Sequence, residues 1–199
     1  MSSSRPSSDH VEIYNLGVVF YNRKDYHRAI EEFKTALKLD SKNTRYGFAL
    51  ANAYNNLAVA QYESRRYFDS EDNFKKALEI EPTNEQFAQN LRIAQESALK
   101  NEVDRLCKGA YEAFNNKNYS ESIRCLKEAQ KLVPHDEDVE KALSVAYNGR
   151  GVYYYTQKKY EKAKFDFRTA YKIMPSQTQF GQNLRLVDEA IGSSKGKKK

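Results

Sequence analysis

The chain has 199 residues and a formal net charge of +6, with 40% hydrophobic residues, 30% charged residues, eight Gly, four Pro and no Trp, a composition of long helices with few breaks. No apolar run approaches the roughly 18 residues a membrane span requires. Residues Met1 to Ser8 lack the apolar stretch of a secretory signal, and residue 2 is Ser where myristoylation needs Gly, so a cytoplasmic location is expected.

Residues 1–9, rich in Ser, are expected to form a disordered tail. A helical pattern then begins: Leu16 and Gly17 precede the polar turn at Arg23 and Lys24, and Tyr26 opens a second helix carrying Ala29, Phe33 and Ala36. The same order recurs around Tyr67, Tyr119 and Tyr160. Gly17 aligns with Ala58, Ala110 and Gly151; Phe33 with Phe74, Leu126 and Phe167; and Ala36 with Ala77, Ala129 and Ala170. Small residues at the first set permit close helix crossing, and the large ones at the second supply apolar area. Pro82, Pro134 and Pro175 close the last three units.

The tyrosines are spaced by 41, 52 and 41 residues, so the second pair repeats the first at an offset of 93. The segment Gln86, Phe87, Gln89, Asn90, Leu91, Arg92 recurs at the same offset as Gln179, Phe180, Gln182, Asn183, Leu184, Arg185. It is read as a cap over each last hairpin. The second copy is expected to end near Ile191, where Gly192 starts a Gly-, Ser- and Lys-rich stretch.

This pattern resembles the tetratricopeptide repeat over residues 10–43, 51–84, 103–136 and 144–177. The resemblance implies an all-α fold: a right-handed superhelical α-solenoid of TPR helix hairpins, with some extended helices and a C-terminal cap helix. The spacings exceed the family's usual length of about 34 residues. The excess of 7 within each pair and 18 between pairs is close to whole helical turns, so helices can lengthen without rotating their apolar faces. Segments 44–50 and 137–143 are expected to lengthen the first helix of the second and fourth repeats. Between pairs, Asn84 to Asn115 contains no Pro and one Gly, Gly109. Either one helix of about 30 residues joins the pairs, or a cap helix breaks near Asn101 and a fresh helix follows. The expected organisation is a first module over 10–100, a second over 101–191 and a disordered basic tail over 192–199.

No nucleophile and base constellation, phosphate loop or metal spacing is visible, so catalysis, cofactors and metals are not expected. Cys107 and Cys125, being so few and with no secretory signal in view, are expected as free thiols, and as packing residues without a metal or redox role, since His10, His27 and His135 lie far from them in sequence. The resemblance implies a groove lined by first-helix residues. Here these are Tyr14, Asn15, Val18 and Tyr21; Asn52, Asn55, Asn56 and Tyr62; Lys108 and Tyr111; and Asn148, Val152 and Tyr155. Asn amides can pair with an extended backbone, and aromatic rings bring apolar area at small entropy cost. A protein or peptide partner is therefore expected, making the chain an adaptor. Self-association of like surfaces at the two ends is the alternative reading.

Chaperone-binding members of the family grip a chaperone's C-terminus with a two-carboxylate clamp. Asn56 stands at the clamp's central Asn, but Tyr14 and Val18 stand at its first-repeat Lys and Asn, and Gln86 and Asn90 at its later Lys and Arg. Without those cations no clamp is expected. Basic residues cluster before each repeated tyrosine, at Arg23, Lys24, Arg65, Arg66, Lys117, Lys158 and Lys159, and in the tail at Lys195, Lys197, Lys198 and Lys199. Attraction to nucleic acid or anionic membrane is expected only through the tail.

Overall fold

The computed structural model describes residues 9–196, as nine helices with no strand among them. They are α1 (Asp9–Asn22), α2 (Tyr26–Leu39), α3 (Thr44–Glu63), α4 (Tyr67–Ile80), α5 (Glu85–Asn115), α6 (Tyr119–Leu132), α7 (Glu137–Thr156), α8 (Tyr160–Ile173) and α9 (Thr178–Gly196). Each repeated tyrosine is the first residue of its helix. Contacts divide the chain into two units, residues 1–98 and 99–199.

The turn before each tyrosine has one construction. The N–H of Asp25 bonds to the carbonyl of Phe20 and that of Lys24 to Tyr21, both at 2.9 Å, which is the Schellman closure of a helix end. The same bonds recur at Arg65 and Arg66, at Lys117 and Asn118, and at Lys158 and Lys159. Lys24, Arg65, Lys117 and Lys158 take the left-handed position, with φ of 58 to 61°. The basic residues thus occupy helix ends, where positive charge complements the dipole. Asp25 and Asn118 then cap the next helix through the N–H of Arg28 and Glu121, whereas Arg66 and Lys159 cap nothing. Lys159→Asp is therefore expected to stabilise the protein by about 1 kcal/mol, read as a rise in the urea midpoint; no rise would mean that α8 frays independently of its cap.

Within unit 1, α1 packs on α2, α2 on α3 and α3 on α4. Phe33 and Phe74 are nearly fully buried against small residues, Ala29 and Ala36 around the first and Ala58 and Ala94 around the second. Unit 2 repeats this: Leu126 packs with Ala110 and Ala129, and Phe167 with Ala163 and Val187. The expected extensions are present, since α3 and α7 each run for 20 residues while α1, α2, α4, α6 and α8 run for 14. Helix α5 is continuous over 31 residues, with no break near Asn101. No Pro interrupts it, and Gly109 finds only the Cys125 sulfur at 3.9 Å from where a Cβ would stand.

The last helix differs from the expected stop at Ile191. It continues to Gly196, because a single Gly at 192 weakens a helix without ending it, and neither Pro nor a second Gly follows before Gly196. Asp9 likewise already belongs to α1. The expected disordered tails otherwise lie outside the described residues.

Candidate binding groove

In unit 1 the first helices of the repeats, α1 and α3, together with the start of α5, line a groove. A cavity of about 410 Å³ opens between α1 and α3, walled by Tyr14, Val18, Tyr21, Asn22, Phe48 and Asn52, with Phe33 beneath. A second cavity, of about 190 Å³, lies between α3 and α5 and is lined by Val59, Tyr62, Phe74, Asn90 and Ile93. Phe48, 54% exposed, sits on the extension of α3, so the added residues 44–50 enlarge the groove as well as lengthen the helix.

A chain of side-chain hydrogen bonds crosses the groove floor. Gln86 Nε2 donates to Asn90 Oδ1 at 3.0 Å, Asn90 Nδ2 to Asn55 Oδ1 at 3.0 Å, Asn55 Nδ2 to Asn56 Oδ1 at 3.2 Å, and Asn56 Nδ2 to Tyr21 Oη at 2.6 Å. It ties α5, α3 and α1 together. Burial, and the phenol of Tyr26 beside it, raise the pKa of Tyr21 above the ordinary value, so its hydroxyl stays neutral. Each of these amides retains an unused donor or acceptor for a ligand.

Unit 2 repeats both cavities at the offset of 93. The first, of about 260 Å³, is lined by Cys107, Tyr111, Phe114, Asn115, Ala142 and Val145 around Leu126; the second, of about 170 Å³, by Val152, Tyr155, Phe167, Asn183 and Leu186. The hydrogen-bonded chain survives in part. Gln179 donates to Asn183 at 2.9 Å and Asn183 to Asn148 at 2.7 Å. There it ends: Gly149 stands where unit 1 has Asn56, and Phe114 where it has Tyr21. A Cβ on Gly149 would come within 2.9 Å of the Phe114 ring, so the glycine makes room for the ring that replaced the hydrogen bond.

Of the residues the sequence points to, Val18, Tyr21 and Asn52 line the first cavity, Tyr62 its neighbour, Tyr111 the first cavity of unit 2, and Val152 and Tyr155 the second. Asn52 donates to the Phe48 carbonyl of its own helix at 2.8 Å. Asn55 and Asn148 are engaged with Asn90 and Asn183. Asn56 lines a separate hollow beside Asp25 and His27. Tyr14 also walls the first cavity but is only 9% exposed, because the α3 extension stacks Tyr46 on its ring at a centroid distance of 4.8 Å. Two placements differ from the expectation. Asn15 and Lys108 are exposed but line none of these cavities.

Residues missed in the sequence are Phe48, Asn90, Ile93, Asn183 and Leu186. Asn90 and Asn183 lie in the duplicated Gln-Phe segments and Ile93 and Leu186 directly follow them, on helices that both cover the last hairpin and wall a cavity. The recurrence of those segments at 93 residues was the available signal.

Cys107 and Cys125 are free. Burial raises both thiol pKa values, helped at Cys107 by Asp136, Asp104 and Asp138 and at Cys125 by Glu121. Both are expected to react slowly with iodoacetamide near neutral pH and faster as pH rises past the ordinary thiol range. Mass spectrometry of the labelled chain checks this, and rapid labelling at neutral pH would contradict it.

Among the described residues no helix is long and apolar enough to cross a membrane, and no group of three or more His, Cys, Asp or Glu could hold a metal ion. No curated protein matches the chain. Among solved structures, the chain is similar to a TPR repeats protein from Bacteroides fragilis (16% identity, 92% of this chain and 99% of that one, TM-score 0.41). It is also similar to the TPR2AB-domain:pHSP90 complex of yeast Sti1 (14%, 92% and 84%, 0.32) and to BtubC from P. vanneervenii (18%, 90% and 72%, 0.30). Two tetratricopeptide repeat family models match, one over residues 9–81 and the other over 144–177, together more than half of the chain. The Schellman turns, the small residues at the crossings and the buried rings all recur in those segments, and the chain belongs to the tetratricopeptide repeat family, an α-helical scaffold of protein–protein interaction.

Proposed function

We propose that the protein is a non-catalytic adaptor that binds a peptide or helix of a protein partner in its grooves. The observation that carries this is the recurrence of the same two cavities in each unit, at equivalent positions on the first helices. Their walls combine exposed apolar residues with amides that retain hydrogen-bonding capacity, the mixture suited to a peptide.

The test is capture of partners by the full chain and by an Asn52→Ala, Tyr111→Ala, Val152→Ala variant. All three residues line cavities without closing a core, so circular dichroism should be unchanged while captured partners are lost. Retention of every partner would overturn the groove reading.

The carboxylate-clamp mode is not part of this proposal. Gln86 donates to Asn90 and Asn90 to Asn55, and neither supplies a cation. Fluorescence polarisation with an acidic chaperone-tail peptide is expected to show no micromolar binding; binding abolished by Asn56→Ala would reverse that expectation.

A further inference from the structure

We infer that the first cavity of unit 2 receives a bulky apolar side chain, of the leucine, methionine or phenylalanine kind, from a partner segment that carries lysine or arginine beside it. This rests on the groove reading and assigns one of the grooves its ligand chemistry.

The duplication supplies an internal comparison. Around the equivalent cavity of unit 1, Tyr14, Tyr21 and Asn52 offer hydroxyls or an amide; in unit 2 their places are taken by Cys107, Phe114 and Val145, and of the amides only Asn22 is kept, as Asn115. A polar ligand group entering there would lose its water and find few partners in exchange. An apolar side chain pays no such penalty. Tyr111, in the place of Val18, adds an aromatic wall that is 68% exposed.

The charge at one end has changed as well. Asp104 and Asp138 stand where unit 1 has Val11 and Arg45, and both are exposed, with no salt bridge to either among the described residues. With Asp136, whose carboxylate caps the N–H of Val139 at 2.9 Å, they act on Cys107 at the cavity edge. Asp104 lies one turn before Cys107 on α5, and α7 is capped by Asp136 and opens on Glu137, Asp138 and Glu140, so carboxylates outnumber the exposed Lys108 and Lys141 at this end. That end therefore complements a cation on the ligand.

A phage library of random 12-residue peptides, panned against the full chain, tests both layers. Enriched peptides pairing Leu, Met or Phe with an adjacent Lys or Arg are expected. Fluorescence polarisation should show them weakened about tenfold by Val145→Asn, which restores the residue of unit 1, and about fivefold by Asp104→Lys with Asp138→Lys. Both variants change exposed side chains and should keep the circular dichroism of the parent. Enriched peptides that are acidic beside the apolar residue, or that ignore both variants while responding to Asn52→Ala, would overturn this inference and leave the groove reading standing. Failure of any peptide to enrich would overturn both.

Discussion

Replacing Arg150 with leucine is expected to destabilise unit 2 by about 3–5 kcal/mol. Asp166 is 1% exposed on α8, and Arg150 of α7 grips it with both ends of its fork, Nε to Oδ2 and Nη2 to Oδ1, each at 2.8 Å. Those bonds push the guanidinium pKa above its already high value, and the Tyr147 ring lies 5.5 Å from its carbon. Leucine would leave a buried carboxylate with no counter-charge. Unit 1 shows a neutral solution at the same place: Leu57 replaces the arginine, Asn73 the aspartate, and Asn73 Nδ2 donates to Gln61 Oε1 at 2.8 Å. Installing all three together, as Arg150→Leu, Asp166→Asn and Tyr154→Gln, is expected to recover most of the loss, because a buried pair replaced whole costs far less than one broken. Urea denaturation followed by circular dichroism reads both. A loss below about 1 kcal/mol for the single change would show that water reaches the carboxylate.

The features that could be read in the chain are those set by local backbone chemistry. The repeated tyrosines mark helix starts because each follows a Schellman turn, and insertions close to whole turns lengthen helices without disturbing their faces. Tyr14 was not legible as buried, since its cover is Tyr46, 32 residues further along on the extension of α3. The asparagines were legible as groove residues, but their mutual bonding was not: Asn55 and Asn90 meet at |i−j| of 35, across two helices. The Arg150 and Asp166 pair was hidden for the same reason. In the other repeats the two positions hold residues that cannot form an ion pair, Leu16 with Glu32, Leu57 with Asn73 and Gly109 with Cys125. Alignment on the repeat therefore points away from it.

Phe167→Ala is expected to cost about 3–5 kcal/mol, the usual loss for emptying a ring-sized space in a close-packed core. The ring is 2% exposed, between Gly151, Ala163 and Val187, and a Cβ placed on Gly151 would lie 2.6 Å from its Cε1. Gly17 meets Phe33 in the same way, at the same distance. Gly151 is thus a seat for the ring, and Gly151→Leu alone is expected to cost about 1–3 kcal/mol by overpacking. Combined, the two changes should be less harmful than their sum, by a coupling of about 0.5–3 kcal/mol, because the leucine can enter the space the ring vacates. Chemical denaturation of the two single variants and the double closes the cycle. Strict additivity would mean that the helices separate to admit the leucine, and that the glycine serves the backbone of α7 and not the packing of α7 on α8.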